Sequence, residues 1–131
     1  MALTFPKSAR LTLDSEFRRV KTEGRSHGGR YLALGVLKNA GDASAAAGGT
    51  RAGLIASRRV GNAAVRNRIR RRLRELVRTT RPGWIPAVWV VVIARRAAAD
   101  ATFAQLRQEW LRLARRAGVL AAAKKPEKGS P

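Results

Sequence analysis

Residues 61–77, GNAAVRNRIRRRLRELV, limit what this chain can fold into more than any other stretch. At about 100° per residue, Val65, Ile69, Leu73, Leu76 and Val77 fall within one third of a helix circumference. Asn67, Arg71, Arg74 and Arg78 lie opposite, while Arg66, Arg68, Arg70 and Arg72 flank the apolar stripe. One face of such a helix belongs in a protein core, and the other offers guanidinium groups to an anion. A face that only had to be wet would interleave glutamates at helical spacing. Glu75 stands alone among seven arginines from Arg66 to Arg78, so repulsion persists until a polyanion relieves it.

The rest of the chain carries the same charge. Its 28 basic residues face 8 acidic ones, a formal net charge of +20 on 131 residues. That field attracts phosphate polymers and adds salt-sensitive affinity. Arginine dominates the basic residues, and its planar fork suits bidentate phosphate contacts better than an ammonium does. A basic amphipathic helix could also lie on an anionic membrane, but its apolar face would then be lost to the core. Nucleic acid is the favoured partner.

Composition excludes several chemistries. There is no cysteine, hence no disulfide, zinc–thiolate site or thiol nucleophile. His27 is the only histidine and the acids are scattered, so no catalytic residue and no metal site is assigned. The longest apolar run, 85–94, is too short to span a bilayer, and the opening MALTFPKSAR lacks the apolar core of a signal peptide. The expected location is the cytoplasm.

Apolar spacing predicts a short helix over 13–22, with Leu13, Phe17 and Val20 on one side and Gly24 as its stop. Strands are expected over 30–38 and 51–57, separated by an alanine- and glycine-rich mobile loop near 41–49. The arginine helix should run over 63–79 with Asn62 as N-cap. A nearly continuous aliphatic strand over 87–94 reads as central, covered on both faces. A last helix starts near Thr102, which forms a capping box with Gln105. The fold class is therefore α/β: a small sandwich on a mixed central sheet, in the order α-β-β-α-β-α. Residues 1–120 make one RNA-binding domain, and 121–131 read as a flexible basic tail.

Some residues admit two readings. Phe17 and Tyr31 are either core aromatics or platforms on which a single-stranded base stacks. Asn67 is either a solvent-facing amide or a reader of ribose and base edges. Trp84, Trp89 and Trp110 sit among apolar neighbours and read as structural.

AAVRNRIRRRLRE at 63–75 resembles the signature helix of the protein subunit of bacterial ribonuclease P. GLIASRRVGNA at 53–63 resembles the strand and turn leading into it, and RLTLDSEFRRVKTEGR at 10–25 the N-terminal helix segment. VWVVVIARRAAADATFAQLRQEWLRLARRAG at 88–118 resembles the last strand and helix, so the likeness spans residues 10–118 in order. It implies a left-handed β-α-β crossover around the signature helix, against the usual right-handed rule. It also implies that an RNA subunit, using Mg2+ bound mainly by that RNA, removes the 5′ leader of precursor tRNA. The protein would bind the catalytic RNA and hold the leader between its N-terminal helix and sheet. On this sequence the resemblance assigns RNA contact to Arg58, Arg59, Arg66, Asn67, Arg68, Arg71 and Arg72. It assigns the leader cleft to Phe17, Lys21 and Tyr31. Lys21 and Leu34 stand where relatives often carry aromatics, which shifts the expected contact from stacking toward charge. The competing expectation is a structural rRNA-binding protein with no part in cleavage; protein oligomeric state is left open.

Overall fold

In the computed structural model, which describes residues 7–121, the strand residues alternate between two sides of one sheet. Strands β1 (Arg25–Gly28), β2 (Leu32–Leu37), β3 (Arg51–Ile55) and β4 (Trp89–Ala94) stand in the order β1-β2-β4-β3. β2 is antiparallel to β1 and β4, and β3 is parallel to β4. A parallel pair needs a crossover, and α2 (Ala63–Thr80) supplies it. α1 (Asp14–Glu23) and α3 (Phe103–Arg116) complete the expected α/β sandwich on a mixed sheet. The structure adds one strand that the pattern did not show. β1 reads Arg-Ser-His-Gly, without apolar alternation, and is held by its pairing of Arg25 with Val36 through Gly28 with Ala33.

One side of the sheet is packed. Leu32, Leu34 and Val36 of β2 and Val90 and Val92 of β4 meet Ile69, Leu73, Leu76 and Val77 of α2. Leu106, Trp110 and Leu113 of α3 close the same cluster. Each such side chain adds roughly 1.5–3 kcal/mol on leaving water. The Thr80 hydroxyl accepts the indole N–H of Trp84 at 3.2 Å and of Trp110 at 3.1 Å, and donates to the Leu76 carbonyl at 2.6 Å. Both indoles can therefore be buried without an orphaned donor. The other side carries α1 and a smaller cluster of Leu11, Val20, Leu37, Trp89 and Val91.

The caps follow the sequence. Asn62 accepts the Val65 amide at 3.0 Å, and Thr102 with Gln105 forms the capping box at 3.1 and 2.8 Å. Residues 41–49 contain a 3-10 turn, Ala46–Gly49, whose Gly48 carbonyl accepts the Ala87 amide at 2.7 Å. The expected tail lies, beyond residue 121, outside the described residues. Among the described residues no helix is long and apolar enough to cross a membrane.

Candidate nucleic-acid interface

The arginines of α2 divide into two groups. Asn67, Arg71 and Arg74 are exposed, and Arg58 and Arg59 are exposed on the 3-10 turn Arg58–Val60 that leads into the helix. Arg66, Arg68, Arg70 and Arg72 are half-buried beside the apolar stripe. Arg68 donates to the Ala99 carbonyl at 3.1 Å, and Arg72 donates to the Ala101 carbonyl at 2.9 Å. Arg70 donates to the Ala56 carbonyl at 3.3 Å. Arg68 and Arg72 thus tie α2 to the 3-10 turn Arg96–Asp100 and the approach to α3. A guanidinium has five N–H donors, so each keeps donors for a phosphate as well. Helical periodicity gave the flank on which these arginines stand, but not the carbonyls they bind.

Phe17 lies over the opposite side of the sheet. Its ring rests on β3 at Gly53, where a methyl group would overlap it, so the missing side chain makes the seat. The ring is half-buried and packs beside Leu11, Val20 and Val91, which makes it both a packing residue and a wall. With Val20, Lys21, Ile55, Val91 and Ile93 it lines a cleft of about 490 Å³ between α1 and the sheet. Tyr31 is not brought to this cleft. It precedes β2, and its ring packs against the cluster on the α2 and α3 side, with the Arg30 guanidinium 5.4 Å from the ring centre. Leu34 points into that packed cluster too.

The cleft has a basic continuation. Ser57, Arg59, Arg95 and Arg96 flank a second depression whose floor includes Ile93, the residue it shares with the first. Arg95 and Arg96 were not singled out from the sequence. The available signal was a basic pair directly after an apolar strand, the arrangement that Arg58 and Arg59 also show.

Two carboxylates hold these surfaces in place. Glu16 on α1 accepts the amides of Thr12 and Leu13 at 2.9 Å each and pairs with Arg51. Arg51 also donates to the Arg10 carbonyl at 2.6 Å and lies 5.3 Å from the Trp89 ring centre. Burial opposes ionisation of Glu16, but the Leu13 and Thr12 amides and the Arg51 guanidinium outweigh it and hold the carboxyl below its usual range. Glu109 of α3 is buried and accepts the amides of Arg30, Tyr31 and Leu32 at 2.9, 2.7 and 2.7 Å. A side chain at Gly29 would overlap that carboxylate.

Acid–base catalysis needs a group that titrates near neutrality. The shifted carboxylates here go the other way: the Ser44 hydroxyl lowers Asp42, and the Arg78 guanidinium lowers Glu75. Among the described residues no three His, Cys, Asp or Glu side chains gather where they could hold a metal ion. What the surface offers is guanidinium groups, an amide and a half-buried aromatic ring, the chemistry of RNA binding.

Comparison with known proteins agrees. The family described as Ribonuclease P matches residues 5–118. The ribonuclease P protein component of Symbiobacterium thermophilum is 43% identical over 114 residues, covering 87% of this chain and 95% of that protein. That of Clostridioides difficile is 35% identical over 118 residues, covering 89% of this chain and 98% of that protein. The 2.0 Å structure of the Staphylococcus aureus RNase P protein superposes with a TM-score of 0.75 at 26% identity, covering 87% of this chain and 99% of that one.

Proposed function

The chain belongs to the ribonuclease P protein family and is the non-catalytic protein subunit of that ribonucleoprotein, and from this premise we propose a division of labour between its two sides. The exposed Asn67, Arg71 and Arg74, together with Arg58 and Arg59, bind the catalytic RNA. Arg68 and Arg72 contribute their remaining donors while fixing the helix to the turns beside it, and Arg66 contributes from the half-buried edge of the apolar stripe. The α1 cleft takes the single-stranded 5′ leader of precursor tRNA, with Phe17 as its aromatic wall and Lys21 on its rim. Tyr31 acts from outside this cleft, at the edge of the packed side.

One observation carries the reading: the apolar cleft floor at Ile93 runs on into the depression flanked by Arg59, Arg95 and Arg96. Bases can rest on Phe17 and the aliphatic floor while successive phosphates reach arginine. Base stacking on such a ring is sequence-tolerant, as a subunit serving many precursors requires. Holding the leader beside an RNA active site raises the fraction of productive complexes, and cationic surface between two polyanions lowers their repulsion. The Mg2+ ions are held mainly by the RNA in this reading, in which the protein supplies guanidinium groups and not hard oxygen ligands. The work is cytoplasmic.

Reconstitution with the organism's matching RNA tests this. Protein alone leaves precursor tRNA intact, and addition of the RNA gives accurate leader removal at a lower Mg2+ concentration than RNA alone needs. Accurate cleavage by rigorously RNA-free protein would overturn the reading.

A further inference from the structure

A further depression of about 490 Å³ lies at the β1 edge of the sheet, on the opposite face of β1 from the α1 cleft, which Ser26 helps to line. It is bounded by β1, the end of β2 and the C-terminal end of α3. In the β1–β2 register Arg25 stands opposite Val36, and His27 opposite Leu34. Directly paired residues share a face, so Arg25 and His27 lie on the side where Val36 and Leu34 are packed. A strand covered by a helix would carry aliphatic residues at those two positions. Here they carry a guanidinium and an imidazole, and Lys38 and Arg116 face the same space. Glu23 is the single acid in the lining, and its carboxylate is bonded to Arg19 at 3.3 Å. Arg25, Lys38 and Arg116 are exposed, so their charges remain available, and Val36 and Leu37 give the depression an apolar floor.

We propose that this cleft is a second RNA-binding site, taking the phosphodiester backbone of an RNA segment at the edge of the sheet opposite α2. β2 and β4 separate β1 from β3. At the usual strand spacing that is about 14 Å, which sets this cleft apart from the β3 edge where Arg58 and Arg59 lead into α2, so different parts of an RNA can fill both at once. Arginine forks in a concave, aliphatic-floored setting match phosphate and ribose better than they match the scattered carboxylates of a protein surface. The proposal rests on the chain acting in a ribonucleoprotein.

The test is binding of the full chain to its matching catalytic RNA and to the holoenzyme's precursor tRNA across a series of salt concentrations. Replacing Arg25 and Arg116 with alanine should weaken one of these bindings severalfold. It should also reduce the slope of log affinity against log salt by about one to two, with thermal unfolding unchanged. The matched control, Arg107→Ala with Arg115→Ala, removes the same charge from exposed positions of α3 outside the cleft. Equal losses in the two double variants overturn the site, because net charge then accounts for the effect. Unchanged RNA binding in the cleft variant overturns it too, including the case where the cleft serves an acidic protein. Arg71→Ala keeps the two ideas apart. If it weakens binding and the cleft variant does not, only the second site fails; if neither does, the RNA-subunit reading of α2 fails as well.

Discussion

On the α2 and α3 side, β2 and β4 present Leu32, Leu34, Val36, Val90, Val92 and Ala94; on the α1 side the same strands present Ala33, Gly35, Leu37, Trp89, Val91 and Ile93. β3 places Ala52 and Leu54 on the first side and Gly53 and Ile55 on the second, so there the sides differ mainly at Gly53. Two helices seal the first side, whereas one ten-residue helix lies over the second and leaves a cleft. The difference teaches that the number of helices over a face and the gaps within it, Gly35 beneath Val20 and Gly53 beneath Phe17, together decide between core and groove. Large aliphatics on one face draw helices down onto the sheet. The gaps on the other let a ring lie flat and leave room beside it for a ligand.

The largest expected break in this comparison is Trp110→Ala. Trp110 is fully buried, lies 5.7 Å from Trp84 between ring centres, and donates to Thr80. Its loss should cost about 3–5 kcal/mol in chemical denaturation. Where the variant remains folded, its preference for precursor over mature tRNA should be unchanged, because the proposed leader cleft lies on the other side of the sheet. A stability loss under 1 kcal/mol, or a changed preference, would contradict the assignment of the two sides.

The packed side was also the legible one. Helical and strand periodicity placed Ile69, Leu73, Trp110 and the central β4 correctly, since burial of a continuous stripe leaves a sequence record. The caps at Asn62 and Thr102 were readable for the same reason, being local. β1 was not, because an edge strand of polar residues has no apolar period to show. Nor was Glu109, a lone acid on a mostly apolar helix face, whose partners are amides 77–79 residues away. The arginines of α2 were placed on the right flank, while their split between carbonyls of this chain and an outside partner depends on tertiary contacts. Tyr31 shows the same limit, since one position before a strand the pleat no longer fixes a side chain's face.

Phe17→Ala sharpens the contrast on the other side. Half-buried on Gly53, the ring should contribute about 1–2 kcal/mol to stability, well short of a fully buried aromatic. Affinity for precursor tRNA should fall by about 1–3 kcal/mol, with little change for mature tRNA, which lacks the leader. Melting curves and paired binding isotherms read both quantities. Equal affinity losses for the two RNAs would remove Phe17 from the leader site.

Within α2 the same division recurs on a smaller scale. Arg68→Ala removes the bond to the Ala99 carbonyl and should cost about 1 kcal/mol of stability, besides lowering RNA affinity. Arg71→Ala, at an exposed position, should leave stability unchanged and lower only the affinity and its salt slope, by about one unit per lost phosphate contact. Arg68→Lys separates the two roles: it keeps the charge but not the fork, so it should recover salt slope more fully than stability. If Arg71→Ala destabilises the fold as much as Arg68→Ala does, the division within the helix is wrong.

The smallest effect expected is the pH dependence that Glu16 adds on the α1 side. Glu16 is held below its ordinary carboxyl value of 4.5 in the folded protein. A depressed folded value means that its stabilising contribution is fully present above the unfolded value. The contribution is lost as pH falls from there through the folded value, when protonation releases the Leu13 and Thr12 amides and Arg51. Glu16→Gln should therefore be less stable than the parent chain at pH 6, and the gap should close as the pH is lowered below about 4. Because Glu16 anchors α1 and, through Arg51, the segment at Arg10, the variant should also loosen the cleft. Amide exchange over α1 and β3 should rise at pH 6 while that of α3 stays as it was. A gap in stability that stays constant from pH 6 to pH 3 would show that the loss comes from the amide's different hydrogen bonding and not from the carboxylate's charge.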